Sequence, residues 1–169
     1  MTDCLFLHGH GMSIGSEVAG GVENVHVARI RFRGTTNGVR VKSNRDRGAD
    51  IGHLDFRDLM MQDVGTPILI TEYYPRIPEH DAAQPLTRLT PHFHDIHIAH
   101  LTATGAQETG MIAGLPESPI TSIVLDDVHL KGAKGLTISQ ATVAAHNLTV
   151  VSATPPRVIL LEHGQLNRE

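Results

Sequence analysis

The stretch LHGHGMSIGS, residues 7–16, concentrates residue types that could do chemistry. It holds two histidines and three glycines, and Ser13 lies between the last two of these glycines. Such a set is compatible with a metal site, a serine nucleophile on a sharp turn, a phosphate-binding glycine loop, or one edge of another active site. The choice depends on the backbone that carries the stretch.

Basic residues form a second candidate group. The chain has a net charge of -4, which argues against general nucleic-acid binding. Half of its fourteen Lys and Arg residues nevertheless fall within 19 positions: Arg29, Arg31, Arg33, Arg40, Lys42, Arg45 and Arg47. A local basic cluster on an acidic chain indicates an anionic ligand, and the simpler interpretation is a solvated basic face.

Composition limits the remaining classes. A length of 169 residues predicts one domain, 1–169, with a real core. The single cysteine, Cys4, excludes an internal disulfide, and no apolar run is long enough to span a bilayer. The N-terminus lacks a signal-peptide pattern. We expect no membrane or nucleic-acid partner and no cofactor.

A repeated apolar template organises the chain. Its spacing is apolar-x-apolar-x-x-apolar-x-apolar, and a bend at the two-residue skip would let both pairs face inward. Five blocks fit it: Val25/Val27/Ile30/Phe32, Leu54/Phe56/Leu59/Met61, Ile96/Ile98/Leu101/Ala103, Ile123/Leu125/Val128/Leu130 and Val143/Ala145/Leu148/Val150.

A further apolar pair follows each block at a nearly constant distance. We assign these third-strand pairs as Val39/Val41, Ile68/Ile70, Met111/Ala113, Leu136/Ile138 and Val158/Leu160. Three short strands per repeat, with variable loops between repeats, predict an all-β parallel β-helix of about five to six coils. A β-sandwich is the alternative, but its hairpins would not preserve the template five times. The proline-rich segment 74–91 is predicted to be a long loop.

The template places the opening stretch in a particular coil. Met12 and Ile14 fit the third strand of an earlier coil, and Leu5 and Leu7 fit its second strand. That coil would begin before the chain does, so we expect the chain to be the C-terminal part of a longer β-helix. Ser13 lies within a predicted strand with no helix after it, which is the wrong context for a nucleophile elbow.

Histidines offer a metal-binding alternative in two places. His8 and His10 lie in the opening stretch, and a second group lies in HFHDIHIAH: His92, His94, His97 and His100. Neither group contains a closed four-ligand set, so we predict a solvated histidine-rich surface and no metal site.

Stacking of the coils suggests the remaining interpretation. His10, Arg40, Lys42 and Tyr73 lie within or close to the third strand on three consecutive coils, so we expect them on one side of the solenoid. Arg40 and Lys42 alternate with inward valines and therefore point outward. An imidazole, a guanidinium, an ammonium and a phenol suit a ligand that carries a carboxylate and hydroxyl groups.

These segments resemble the polygalacturonases of glycoside hydrolase family 28. The matching stretches are GHGMSIGS at 9–16, GTTNGVRVKS at 34–43 and PILITEYY at 67–74, and later coils are similar too. The resemblance implies a right-handed parallel β-helix that hydrolyses pectic α-1,4-galacturonan with inversion. It implies that His10, flanked by Gly9 and Gly11, lies beside the catalytic carboxylates, and that Arg40, Lys42 and Tyr73 bind substrate.

The chain departs from the family pattern in its carboxylates. The family has an Asn-Thr-Asp motif and an Asp-Asp pair before Gly-His-Gly, whereas only Asp3 precedes Gly9 here. The pair Asp126-Asp127 lies on a different coil. Inverting hydrolysis needs two carboxyl groups, so we expect a substrate-binding half without the catalytic half.

Two functional hypotheses follow. One is part of a polygalacturonase that binds acidic polysaccharide and is inactive alone. The alternative is a non-catalytic β-helix that binds acidic polysaccharide or serves as a structural solenoid. The resemblance also implies a secreted or periplasmic, monomeric full-length enzyme. Both endo and exo action, and plain galacturonan, rhamnogalacturonan and xylogalacturonan as substrates, stay open at this point.

Overall fold

The computed structural model describes residues 1–168, all of whose regular elements are β-strands. They are β1 (Thr2–Phe6), β2 (Met12–Ile14), β3 (Val22–Arg33), β4 (Asn37–Lys42), β5 (Asp50–Gln62), β6 (Thr66–Thr71), β7 (His92–Phe93), β8 (Ile96–Ala113), β9 (Ile120–Ser139), β10 (Ala141–Ser152), β11 (Val158–Leu161) and β12 (Gln165–Arg168). Residues 1–168 contain no helix that is long and apolar enough to cross a membrane.

The named strands pair in parallel from one coil to the next, which makes the molecule a parallel β-helix. One stack runs through β1, β3, β5, β8, β9 and β10. Another runs through β2, β4, β6, the ends of β8 and β9, and β11. The first positions of the five blocks are in register, which confirms the template: Val25, Leu54, Ile96, Ile123 and Val143.

Left-handed residues make the bend inside each block. The second residue of the skip has a positive φ in every block: Arg29, Asp58, His100, Asp127 and Asn147, at 52–57°. One left-handed residue reverses the alternation, so the apolar pairs on both sides of the skip face the core. Asp, Asn and His adopt this conformation more readily than most residues.

The inward columns form one continuous core. Its members include the fully buried Phe56, Phe93 and Leu101. Most of the inward side chains of the first coil are only partly buried, because β1 and β2 each pair with a neighbouring strand on one side only. Phe6 still stacks on Phe32, with ring centroids 5.2 Å apart.

One predicted third-strand pair is wrong by one residue. Gly110 and Ile112, and not Met111 and Ala113, are in register with Ile68 and Ile70. An inward glycine has no side chain, so the apolar pattern does not reveal it. The site has little room for a larger residue, since a Cβ on Gly110 would lie 2.9 Å from Leu136 Cδ1.

The predicted second pair of the first coil is also wrong. Cys4 and Phe6 are in register with the inward Ile30 and Phe32. Leu5 and Leu7 point outward, with 61% and 58% of their surface exposed. Four consecutive apolar residues, 4–7, fit both alternations, so the sequence pattern alone does not select the inward pair. Met12 and Ile14 were assigned correctly, as they pair with Val39 and Val41.

Candidate functional site

The turn that carries His10 is built on two glycines. Gly9 and Gly11 have φ values of 84° and 71°, which glycine adopts without strain. A Cβ on Gly11 would lie 2.0 Å from the carbonyl oxygen of Asn37 on the next coil. His10 is exposed, and its Nδ1 lies 3.0 Å from Thr36 Oγ1. The neighbouring coil therefore fixes both the turn and the imidazole ring.

Arg40 and Lys42 lie side by side on the outer face of β4. They alternate with Val39 and Val41, whose side chains are fully buried. Lys42 is itself largely buried, and this burial, together with the charge of Arg40, lowers the pKa of its ammonium group. Two adjacent cations on a half-buried surface favour an anion placed between them.

Tyr74 covers this cationic pair. Lys42 Nζ lies 3.9 Å from the centre of the Tyr74 ring, and Arg40 Cζ lies 5.5 Å from it. Both distances are within the range of cation–π attraction. Nε of Arg40 is buried and has no hydrogen-bond acceptor within residues 1–168. The Tyr74 ring thus holds both cations in place, and within the described residues the Nε–H donor of Arg40 stays free for a ligand.

The sequence interpretation placed Tyr73 in this position, and the structure places Tyr74 there. Tyr73 lies over Arg45, with 5.6 Å between Cζ and the ring centre. Burial and a hydrogen bond to Asp81 raise the pKa of the Tyr73 hydroxyl. Strand β6 ends at Thr71, and Glu72 still points inward, as the alternation of Ile68 and Ile70 requires. Tyr73 and Tyr74 follow at a bend outside the strand, where a parity count no longer fixes which side chain faces Arg40 and Lys42.

Glu72 anchors the start of the long loop. Its side chain is fully buried, and its two carboxylate oxygens accept backbone N–H bonds from Phe93 at 3.1 Å and Leu115 at 2.9 Å. Burial raises the pKa of this carboxyl well above its usual range, and the two N–H donors partly oppose that shift. The group ties three chain segments together below Tyr73 and Tyr74.

Arg45 holds the loop from the other side. Its guanidinium makes a two-pronged contact with Glu117 and a further hydrogen bond with Asp81, which belongs to the loop. All three side chains are mostly buried. The predicted long loop, 74–91, contains no strand, and Arg45 fastens its middle to the solenoid.

The seven basic residues do not form one cluster. Arg29 pairs with Asp3, Arg45 with loop and coil carboxylates, and Arg47 with Glu17. Arg31 and Arg33 lie on β3, away from β4. Arg40 and Lys42 have no ion pair within residues 1–168, so they are the part of the cluster that fits the anionic-ligand interpretation.

His10 and the carboxylates considered in the sequence analysis make other contacts. His10 contacts Thr36, and no described contact within residues 1–168 joins it to Arg40 or Lys42. Asp127 lies at the bend of β9, where it accepts a hydrogen bond from Asn147. Asp3 is paired with Arg29 on β1 and β3.

The family model and the similar proteins all point to one enzyme family. The family model for glycosyl hydrolases family 28 matches residues 1–153. A polygalacturonase of Ralstonia nicotianae is 30% identical over 131 residues, which cover 75% of this chain and 24% of that protein. An endo-polygalacturonase of Pectobacterium parmentieri is 42% identical over 66 residues, which cover 39% of this chain and 16% of that protein.

The fold has a solved counterpart. The crystal structure of a hyperthermoactive exopolygalacturonase from Thermotoga maritima superimposes with a TM-score of 0.63 at 22% identity, over 98% of this chain and 33% of that one. The right-handed parallel β-helix is therefore shared. The chain spans a third or less of the length of these three relatives. The match over residues 1–153 shows that the chain belongs to glycosyl hydrolase family 28.

Proposed function

We propose that this chain forms the galacturonan-binding side of a polygalacturonase active site. The proposed ligand is α-1,4-linked galacturonate, and the reaction served is inverting hydrolysis. The observation that carries the proposal is the pair Arg40 and Lys42 under the Tyr74 ring. The names of the relatives, polygalacturonase and endo-polygalacturonase, point to the same polymer. Such a substrate fits a location outside the cytoplasm.

Each side chain has a distinct proposed role. The planar guanidinium of Arg40 binds a galacturonate carboxylate through two N–H donors. Lys42 adds a point charge to the same carboxylate. Tyr74 orders both cations and offers its hydroxyl to the sugar, which is the role that the sequence interpretation gave to Tyr73. His10, held by Thr36, borders the site from the preceding coil.

The depression beside Tyr74 extends this surface. Asn44, Arg45, Tyr73 and Arg76 are among its lining residues. Arg76 lies on the long loop next to Tyr74 and has no ion pair among the pairs described for residues 1–168. We infer that Arg76 provides a second cation for a neighbouring galacturonate residue of the polymer.

The chemical step needs groups that we do not find beside this pair. Inverting hydrolysis uses one carboxylic acid and one carboxylate roughly 6.5–9.5 Å apart. Glu17 is the carboxylate whose charge reaches Lys42, and it is exposed and paired with Arg47 at 2.9 Å. We therefore expect residues 1–169 to bind galacturonan without hydrolysing it. A non-catalytic binding β-helix would behave in the same way.

Isothermal titration with a short oligogalacturonate tests the proposal. Arg40→Ala and Lys42→Ala should each weaken binding about 10-fold or more, because each removes a charge-assisted contact of roughly 1.5–3 kcal/mol. Arg31→Ala removes an exposed arginine from another face and should leave affinity unchanged. Equal affinity for all four proteins would contradict the proposal.

A hydrolysis assay tests the lack of activity that both functional hypotheses predict for this chain. Reducing-sugar release from polygalacturonate by this chain should not exceed that of Lys42→Ala. Release above that control would show that the chain carries its own acid and base, and would contradict our assignment. Added salt should weaken binding of the polymer, because the contacts are ionic and partly exposed.

A further inference from the structure

A second cluster of chemically capable side chains lies away from Arg40 and Lys42. Asp50 is the first residue of β5, and it is in register with His92 of β7. Phe93 is fully buried and points into the core, so His92 and His94 on either side of it point outward. Adjacent parallel strands therefore present one carboxylate and two imidazoles on the same surface.

The three side chains converge on one point. His92 Nδ1 lies 2.8 Å from Asp50 Oδ1, and His94 Nε2 lies 3.2 Å from Asp50 Oδ2. One potential ligand atom from each residue falls within 4.8 Å of the other two. A tetrahedral zinc ion with bonds of about 2.0–2.2 Å needs ligand atoms about 3.4 Å apart. The half-exposed His92 can supply most of that adjustment.

His94 is held as a metal-binding histidine usually is. Its other ring nitrogen, Nδ1, lies 3.0 Å from Asp95 Oδ2. A carboxylate behind the ligand fixes the tautomer and the ring orientation in many zinc sites. Gly52 leaves room for the ring, since a Cβ there would lie 2.3 Å from His94 Cε1. His94 is thus pre-oriented before any ion binds.

We propose that Asp50, His92 and His94 bind a divalent transition-metal ion of the zinc class. Imidazole and carboxylate are ligands that zinc and its neighbours accept. Asp50 and His92 are 55% and 54% exposed and His94 is 17% exposed, so the ion has access and retains open coordination positions. The prediction of no metal site rested on the lack of a closed four-ligand set in either histidine group, and it left out Asp50, which lies 42 positions before His92.

The position suggests what the ion does. His92 follows the end of loop 74–91, and Asp50 belongs to the preceding coil. An ion held by both would fasten the returning end of the loop to β5, in addition to the Arg45 contacts. We therefore expect metal binding to raise the thermal stability of the chain.

Other histidines on the surface serve as controls. His100 Nδ1 lies 3.1 Å from Asp58, and His129 Nε2 lies 3.2 Å from Asp127, each with a single carboxylate. These pairs resemble the His92–Asp50 contact but lack a second imidazole among the groups found within residues 1–168. They separate a true site from ordinary histidine–carboxylate pairing.

Titration of tag-free protein with zinc chloride tests the proposal. We expect one saturable site, absorption bands of tetrahedral or five-coordinate cobalt when cobalt replaces zinc, and a higher melting temperature with zinc. His92→Ala should abolish all three, and because His92 is half-exposed the variant should still fold. Asp95→Asn, a change behind the ligands, should weaken zinc binding roughly 10- to 100-fold.

The control variant decides the interpretation. His100→Ala should bind zinc with unchanged affinity. The proposal is overturned if wild-type protein shows no saturable binding, or if His100→Ala loses as much affinity as His92→Ala. Circular dichroism of each variant should match the wild-type spectrum, and Asp50→Asn provides a second ligand variant if His92→Ala does not fold.

Discussion

Gly9 and Gly11 flank His10, yet only at Gly11 would an added Cβ collide with the next coil. Both have a positive φ. A Cβ on Gly9 would meet no atom within 4 Å, whereas a Cβ on Gly11 would lie 2.0 Å from the carbonyl oxygen of Asn37 and 2.8 Å from that of Gly38. Alanine at these two positions therefore separates conformational strain from a backbone collision.

The expected magnitudes follow from that difference. A left-handed alanine costs roughly 1–2 kcal/mol, and the reduced freedom of the unfolded chain offsets about 0.4–1 kcal/mol of this. Gly9→Ala should therefore lower the free energy of unfolding by about 1 kcal/mol. Gly11→Ala must in addition push β2 away from β4 by about 1 Å, which weakens ladder hydrogen bonds of about 0.5–1.5 kcal/mol each. We expect a further loss of at least about 2 kcal/mol.

Urea denaturation followed by circular dichroism measures both variants. The gap of about 2 kcal/mol corresponds to about 4–8 °C in melting temperature for a chain of this size. Gly20→Ala is the matched control, because Gly20 lacks a positive φ and a Cβ there meets no atom within 4 Å. Equal destabilisation by Gly9→Ala and Gly11→Ala would refute the packing argument.

Three further substitutions, one of them with a matched control, test different parts of the molecule. Arg45→Ala leaves two mostly buried carboxylates unpaired, so it should lower the free energy of unfolding by about 2–4 kcal/mol and expose loop 74–91 to proteases. Arg47→Ala, the control, removes an exposed ion pair and should lower the free energy of unfolding by less than about 1 kcal/mol. Because burial raises the pKa of Glu72, the folded chain retains a proton that the unfolded chain releases. Stability from this group is thus lost as pH rises above about 4.3 and through the folded pKa, and Glu72→Gln should remove that fall in a urea series. Leu5→Lys should reduce concentration-dependent light scattering, because β1 presents an unpaired edge and an exposed leucine; unchanged scattering would exclude this edge as the contact.

The repeated core was predictable because the requirement for apolar inward residues applies within each short strand. Every inward position of a coil must be apolar, and strand alternation fixes which positions those are. The template therefore located five blocks correctly. The template failed at Gly110, because an inward glycine has no apolar side chain to mark the position. It also failed at Leu5 and Leu7, because the inward and outward positions of residues 4–7 are all apolar.

The candidate site was predictable only along regular strands. Arg40 and Lys42 alternate with buried valines, so their outward direction follows from β4 itself. Tyr74 lies beyond the end of β6, where the turn at Glu72 decides which tyrosine faces the cations. The partners of Arg45 and of His92 come from distant loops and coils, and no spacing rule connects them.

The central claim is that the Arg40 and Lys42 pair recognises the carboxylate of galacturonate. The most direct measurement compares trigalacturonate with its fully methyl-esterified form on wild-type protein and on Lys42→Met, by isothermal titration. We predict that esterification weakens binding to the wild type about 10- to 100-fold and has a much smaller effect on Lys42→Met, because the charge-assisted contact is already lost. Equal binding of the acid and the ester by the wild type, or an undiminished ester effect in Lys42→Met, would contradict the account.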